Sequence, residues 1–183
     1  MAAVKPTILF VYFSYTQQTL KVAEAMAEVL RERGCEVSHA RIEFTDPRYA
    51  SIFSTFPLRR AFLQLLSMLP AQLRRATGQI RLPGAALEGA YDLICIGSPT
   101  WWLTTNMPVR SFLKSDAAGP LLKGKRFAAF VVCRRYWRNN LDTVKALGTS
   151  LGGEFVGGTH FTFAGGQIGS LLSFVSYMGS GEN

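Results

Sequence analysis

The stretch F-V-Y-F-S-Y-T-Q-Q-T-L-K-V-A-E-A-M, Phe10–Met26, changes its hydrophobic period partway along. Apolar residues run almost without a break to Phe13, then return at Leu20, Ala23, Met26, Ala27 and Leu30. The first pattern is that of a strand buried on both faces, and the second that of an amphipathic helix. Between them Ser14, Thr16, Gln17, Gln18 and Thr19 crowd hydroxyls and amides into one turn. That turn opens onto a helix N-terminus, where unpaired backbone N–H groups and the helix dipole favour an anion.

The same alternation continues outward. Thr7–Phe13 is a first strand, and Gly34 closes the helix behind it. Cys35–Ile42, Tyr91–Gly97, Arg126–Cys133 and Glu154–Phe163 read as four further strands. Met107–Lys114 and Asn140–Leu151 read as helices after the third and fourth strands, and Ile168–Met178 is helical in pattern. Strands alternating with helices imply parallel βαβ units in a doubly wound, three-layer α/β sheet of five strands. Residues 1–183 form one domain, with 44–87 as an enlarged second crossover. Within it Leu58, Phe62, Leu65, Leu66 and Leu69 make a helical stripe, opposite Arg59, Arg60 and Gln64, that Pro70 should break. The stripe reads as packed core; a lid, a dimer contact or an interfacial basic helix are the other readings.

Composition narrows the class. At 48% hydrophobic and 17% charged residues, the chain is built to bury a core. No apolar run reaches the ~18 residues of a membrane span, and Ile8–Phe13 is too short for a signal peptide, so the expected location is cytoplasmic. Cys35, Cys95 and Cys133 contain no CxxC pair, and His39 and His160 lack ligand partners at useful spacing, so no metal or disulfide framework is expected. The net charge is +8, and Arg48–Leu87 carries six arginines without one acid. Such a local excess attracts nucleotides, phosphates or a membrane surface, whereas a merely solvated helix face would carry more mixed charge.

Two near-matches fail on context. Gly119–Arg126 (G-P-L-L-K-G-K-R) is one residue short of a P-loop, has Arg126 in place of the magnesium-holding hydroxyl, and precedes a strand instead of following one. Gly148–Gly152 (G-T-S-L-G) has the letters of a nucleophile elbow, but a helix precedes it and a strand follows. No GxGxxG is present.

In an open parallel sheet, ligands bind beyond the carboxyl ends of the strands. Three loops lie there: Ser14–Thr19, Ser98–Asn106 (S-P-T-W-W-L-T-T-N) and Arg134–Asn140 (R-R-Y-W-R-N-N). The first offers Ser14, Thr16 and Thr19 as hydroxyl donors, with N-capping by Thr16 as the alternative role. The other two hold all three tryptophans, Trp101, Trp102 and Trp137, together with Tyr136. Flat aromatics beside an anion site suit a flat, phosphorylated ligand.

With these loops in place the sequence resembles the flavodoxin superfamily, the FMN-binding doubly wound fold of strand order 2-1-3-4-5. The resemblance spans roughly Lys5 to Met178 and rests on Ser14, Thr16 and Thr19 after strand one and on Ile96-Gly97-Ser98-Pro99-Thr100-Trp101-Trp102 after strand three. It implies that Ser14, Thr16, Gln17, Gln18 and Thr19 hold the FMN phosphate. Ser98, Pro99, Thr100, Trp101, Trp102, Cys133, Arg134, Arg135, Tyr136 and Trp137 would surround the flavin ring. Three departures stand out: Gln17 where many members have glycine, Arg134 and Arg135 in a loop often glycine-rich or acidic, and the long crossover.

Flavodoxins proper are acidic one-electron carriers, and this chain is basic. A cation ~6 Å from the flavin contributes on the order of 2–3 kcal/mol at an effective dielectric near 20, which favours the reduced, anionic ring. The resemblance therefore implies an FMN-dependent NAD(P)H oxidoreductase of the quinone- or flavin-reductase type, passing hydride to a small flat acceptor. A one-electron flavodoxin with an acidic partner, and a non-enzymatic or biosynthetic accessory protein, are the alternatives. A homo-dimer or tetramer is expected by analogy, nucleic acid is not an expected partner, and residues 48–81 offer a membrane-surface contact. The chain closes on G-S-G-E-N directly after a helix-like segment, an ending that leaves room for a further tail.

Overall fold

The computed structural model describes residues 5–53, 57, 61–162 and 176–180. Strand β1 (Thr7–Tyr12) sits inside the sheet and buries both faces. Ile8, Phe10 and Tyr12 pack with Ala23 and Ala27 of helix α1 (Gln18–Glu32), whereas Leu9, Val11 and the following Phe13 join a larger cluster on the opposite side. This two-sided burial explains the unbroken apolar run. Helix α1 ends at Gly34, whose φ of +85° favours glycine. The amide of Gly34 reaches the Arg31 carbonyl and that of Cys35 the Leu30 carbonyl, which closes the last turn in a Schellman pattern.

Strand β2 (Glu36–Arg41) runs parallel to β1. The enlarged crossover follows as β3 (Glu43–Phe44), α2 (Ala50–Phe53), α3 (Ala61–Ser67), α4 (Leu69–Leu73), β4 (Ile80–Arg81) and α5 (Gly84–Glu88). Strands β3 and β4 pair antiparallel as a separate ribbon. The chain re-enters the sheet as β5 (Leu93–Trp101), folds back as β6 (Thr104–Thr105), and continues through α6 (Met107–Leu113), α7 (Ala118–Leu122), β7 (Arg126–Cys133), α8 (Arg138–Ser150) and β8 (Glu154–Thr162). The main sheet has the order β2-β1-β5-β7-β8 with parallel pairing throughout. Counted over its five long strands this is the expected 2-1-3-4-5. Val109 and Phe112 of α6 and Val144 of α8 pack into the cluster opposite α1, which makes three layers.

At Gly97 a Cβ would lie 2.3 Å from the Phe130 ring and 2.8 Å from the Tyr12 Cβ. Glycine there is what lets β5 lie close against both neighbours just before the second loop.

The crossover differs from the single broken helix expected. Helix α3 stops at Ser67 and α4 restarts at Leu69, with Pro70 in its first turn, where a missing N–H leaves no helical bond unmade. Leu66 is 43% exposed and is not core; Met68 and Gln72 are buried instead. Leu58, Arg59 and Arg60 lie outside the described residues, as do the side chains of Phe62 and Leu65. The start of the crossover is anchored by buried Asp46. Its carboxylate accepts from Arg48 Nε at 2.9 Å and from the amides of Arg48 at 3.0 Å and Gln79 at 3.1 Å. The hydrogen bonds from Arg48 hold this carboxyl well below the usual carboxylate range despite its burial. At the other end of the chain, 176–180 is helical, while Phe163 and the remainder of the expected Ile168–Met178 helix lie outside the described residues.

Candidate functional site

The first loop begins with buried Ser14. Its Oγ accepts from the Leu20 amide at 3.1 Å, and the Gln17 carbonyl accepts from the Lys21 amide at 2.9 Å. The first four amides of a helix have no carbonyl within it. Here Ser14 and Gln17 answer for two, and those of Gln18 and Thr19 have no hydrogen-bond partner among the described residues. The capping hydroxyl is thus Ser14, not Thr16. Thr16 contributes its carbonyl, which accepts from the Tyr177 hydroxyl at 2.9 Å. Gln17 holds φ at 63°, in the left-handed region, at a cost of roughly 1–2 kcal/mol for a residue with a Cβ. Arg41, at the end of β2, donates to the Ser14 carbonyl at 2.7 Å and brings a cation to a loop that has none of its own.

The second loop is a hairpin. Thr100 pairs with Thr105 and Trp101 with Thr104 across the β5–β6 turn, whose two central residues, Trp102 and Leu103, have φ of 46° and 65°. A two-residue turn with both φ positive normally selects Asn and Gly. Here the strained backbone is held from behind by side chains. Gln72 of α4 donates to the carbonyls of Trp101 at 3.2 Å and Thr105 at 2.6 Å, and Asn139 of α8 donates to that of Leu103 at 3.0 Å. Arg110 of α6 donates to the carbonyls of Thr105 and Ala76.

Arg110 is 2% exposed and has no carboxylate within ion-pair distance among the described residues. Burial, with help from the Arg75 charge, lowers its pKa to about 10, so it remains a cation at neutral pH. A buried positive charge therefore lies directly beneath the hairpin.

A hydrogen-bonded hub joins the second and third loops. Asn140, at the start of α8, accepts from Ser98 Oγ at 2.8 Å and donates to the Ser98 carbonyl at 3.2 Å and to Thr100 Oγ1 at 3.0 Å. Asn106 donates to Ser98 Oγ at 3.0 Å and to the Pro99 carbonyl at 2.8 Å, while its Oδ1 caps α6 through the Val109 amide. Cys133 closes the hub by contacts to the Thr100 side chain and the Arg135 backbone; burial nonetheless raises its thiol pKa.

The aromatic residues divide. Trp101 stacks on Phe53 at 5.1 Å and meets Phe13 edge-on at 5.6 Å. Tyr15, from the first loop, packs edge-on against the same Phe53 and is pushed up to about 12 by burial. The crossover thus inserts Phe53 between loops one and two, and one face of Trp101 is already covered. Trp137 lies flat on His160 of β8 at 4.0 Å, with the Arg138 guanidinium 5.3 Å from its ring. Trp102 and Tyr136 are the exposed rings at the mouth. A cleft of about 480 Å³ lined by Thr45, Ser111 and Lys114 lies beside the β3–β4 ribbon and contains no residue of the three loops.

No family model matches the chain, and no curated protein sequence matches it. Solved structures do. A candidate flavoprotein of Bacteroides eggerthii superposes with a TM-score of 0.59 at 20% identity, over 94% of this chain and 97% of its own. The apo-form of a Lactobacillus acidophilus flavoprotein gives 0.56 at 18%, over 87% and 93%. Two-electron reduced Megasphaera elsdenii flavodoxin gives 0.51 at 19%, over 84% of each chain. The fold is flavodoxin-like.

In doubly wound sheets ligands bind beyond the carboxyl ends of the strands where the strand order turns; in this chain the order turns between β1 and β5. Ser14–Thr19 follows β1 and the β5–β6 hairpin ends β5, with Phe53 between them, and Arg134–Trp137 follows β7. Arg41, Phe53 and Arg110 lie outside the three loops read from the sequence, and Asn106 and Asn140, at the ends of two of them, were not named as site residues. Arg110 had a signal, a lone charge inside the apolar helix M-P-V-R-S-F-L.

Proposed function

We propose that the protein binds FMN beyond the carboxyl ends of β1 and β5 and works as an NAD(P)H-dependent oxidoreductase that reduces a quinone or another flat acceptor. The observation that carries the reading is the pairing of an open helix N-terminus with an acid-free, cationic and aromatic surround. The residues fit the cofactor. The amides of Gln18 and Thr19, in the first turn of α1, have no helical acceptor, and Arg41 adds charge at the same loop. When bound, FMN supplies the two-electron chemistry, taking hydride from a nicotinamide and giving it to the acceptor.

The chain's own contribution is binding, orientation and charge. The hub of Ser98, Asn106 and Asn140 fixes the hairpin, and Trp102 and Tyr136 offer flat apolar surface at the mouth. Arg110 below the hairpin and Arg134, Arg135 and Arg138 beside it surround the site with positive charge, and the three loops contain no Asp or Glu. That field stabilises added negative charge and the phosphates of a nicotinamide cofactor, the opposite of what a low-potential one-electron carrier needs. The flavodoxins and flavoproteins of like fold support the flavin, and the arginines support the reductase over the carrier.

The test is steady-state oxidation of NADPH and of NADH by protein supplemented with FMN, with a soluble quinone as acceptor. Quinone-dependent turnover above that of free FMN is the expected result. Rates equal to free FMN would refute the reductase reading.

A further inference from the structure

The crossover leaves apolar side chains outside the core, beside charges of one sign. Leu63 and Leu66 stand three residues apart on α3, hence on one face, and Leu63 is 59% exposed. On α4, Gln72 turns inward to the hairpin while Leu73, 66% exposed, and the following Arg74 and Arg75 all face solvent. Through Gln72 this face adjoins the β5–β6 turn, where Trp102 and Leu103 are also exposed. Arg74 and Arg75 have no carboxylate within ion-pair distance among the described residues, whereas Arg48 and Arg81 pair with Asp46 and Glu43.

We infer that the α3–α4 face, with the tip of the β5–β6 hairpin, docks on an anionic lipid surface. Leucines and a tryptophan bordered by arginines form the pattern of an interfacial helix, whose apolar side chains enter the acyl boundary while the cations meet the headgroups. An acidic protein would satisfy the arginines but leave the leucines without partners. No helix among the described residues is long and apolar enough to cross a membrane, so the contact lies on the surface. Both apolar and electrostatic parts are needed for stable attachment of so small a face. Docked this way, the site mouth turns toward the lipid, which assigns a lipid-soluble acceptor to the proposed reductase; that clause alone rests on the flavin reading.

The experiment is flotation of the full chain with vesicles of phosphatidylcholine containing about one third phosphatidylglycerol, compared with phosphatidylcholine alone. Flotation needs no flavin, so its failure and the failure of the oxidoreductase reading are seen separately. The expected result is binding to the anionic vesicles only. Leu63→Ser with Leu73→Ser should abolish most of it, and Arg74→Gln with Arg75→Gln should weaken it by about fivefold for each arginine. These side chains are exposed, so unchanged thermal melts will show that the variants fold. Binding that ignores the leucine pair would mean bare charge adhesion and overturn the docking face. Failure to bind anionic vesicles, or equal binding to neutral ones, would overturn it as well. Retention on poly-glutamate without vesicle binding would reassign the face to an acidic protein.

Discussion

The first loop and the β5–β6 hairpin both hold non-glycine residues in the left-handed region, Gln17 in one, Trp102 and Leu103 in the other. They are held in different ways. The hairpin is gripped by side chains from three helices, with buried Gln72 and Arg110 and exposed Asn139 each donating to a hairpin carbonyl and Asn140 locking its base. The first loop has one buried cap, Ser14, and is tied to its surroundings by Arg41, Tyr177 and the Tyr15 hydroxyl, which donates to the Ile52 carbonyl at 3.3 Å. Local strain persists only where surroundings over-determine it. The hairpin is thus the more tightly held of the two loops.

The hub should give the largest effect. Asn140→Ala removes three hydrogen bonds, two of them buried, and should cost about 3 kcal/mol in urea unfolding. A loss below about 1 kcal/mol would mean that water replaces the amide and that the hub does not hold the hairpin.

Asp46 comes next, because it anchors the crossover that carries Phe53 to both loops. Its carboxyl is held below its unfolded value, so unfolding takes up a proton at low pH. Its stabilisation is complete above about pH 4 and fades as pH falls through the lowered native value. Asp46→Asn should lower the melting temperature at neutral pH and flatten the acid limb of stability against pH. An acid limb identical to that of the parent would remove Asp46 as an anchor.

Ser14→Ala should cost about 1 kcal/mol through the lost cap and should weaken FMN binding while leaving the hairpin unchanged. Altered protection of hairpin amides in hydrogen exchange would show that the two loops are coupled. The smallest effect is expected of Gln17→Gly, which relieves left-handed strain but loosens the unfolded chain. The net change should be stabilising by no more than about 1 kcal/mol in thermal melts. A clear destabilisation would show that the long hydrogen bond from Gln17 Nε2 to the Tyr15 carbonyl, at 3.5 Å, supports the loop.

The contrast also marks what was legible in the sequence. The five long strands, α1 and Gly34 follow from hydrophobic period and a helix-ending glycine, which are local signals. The break near Pro70 was legible too, since a proline is tolerated only in a first turn. The hairpin was not, because Trp102-Leu103 carries none of the Asn-Gly signal of its turn type, and its strain is offset by residues from 30 positions upstream to almost 40 downstream. The first loop was singled out by its hydroxyls, yet the parts that the structure gives them, Ser14 as cap and Thr16 as carbonyl acceptor, depend on geometry. The role of Trp101 depends on Phe53, which reaches it from a separate part of the chain. Leu66 fitted a core stripe by period, but period does not say whether a face meets the core or the solvent.

The most direct test of the central claim is an absorbance spectrum of the protein after incubation with FMN and desalting, followed by anaerobic addition of NADPH. The account predicts retained flavin bands near ~370 and ~450 nm. NADPH should bleach them, and added quinone should restore them. A colourless protein after desalting, or retained flavin that NADPH leaves oxidised, would contradict it.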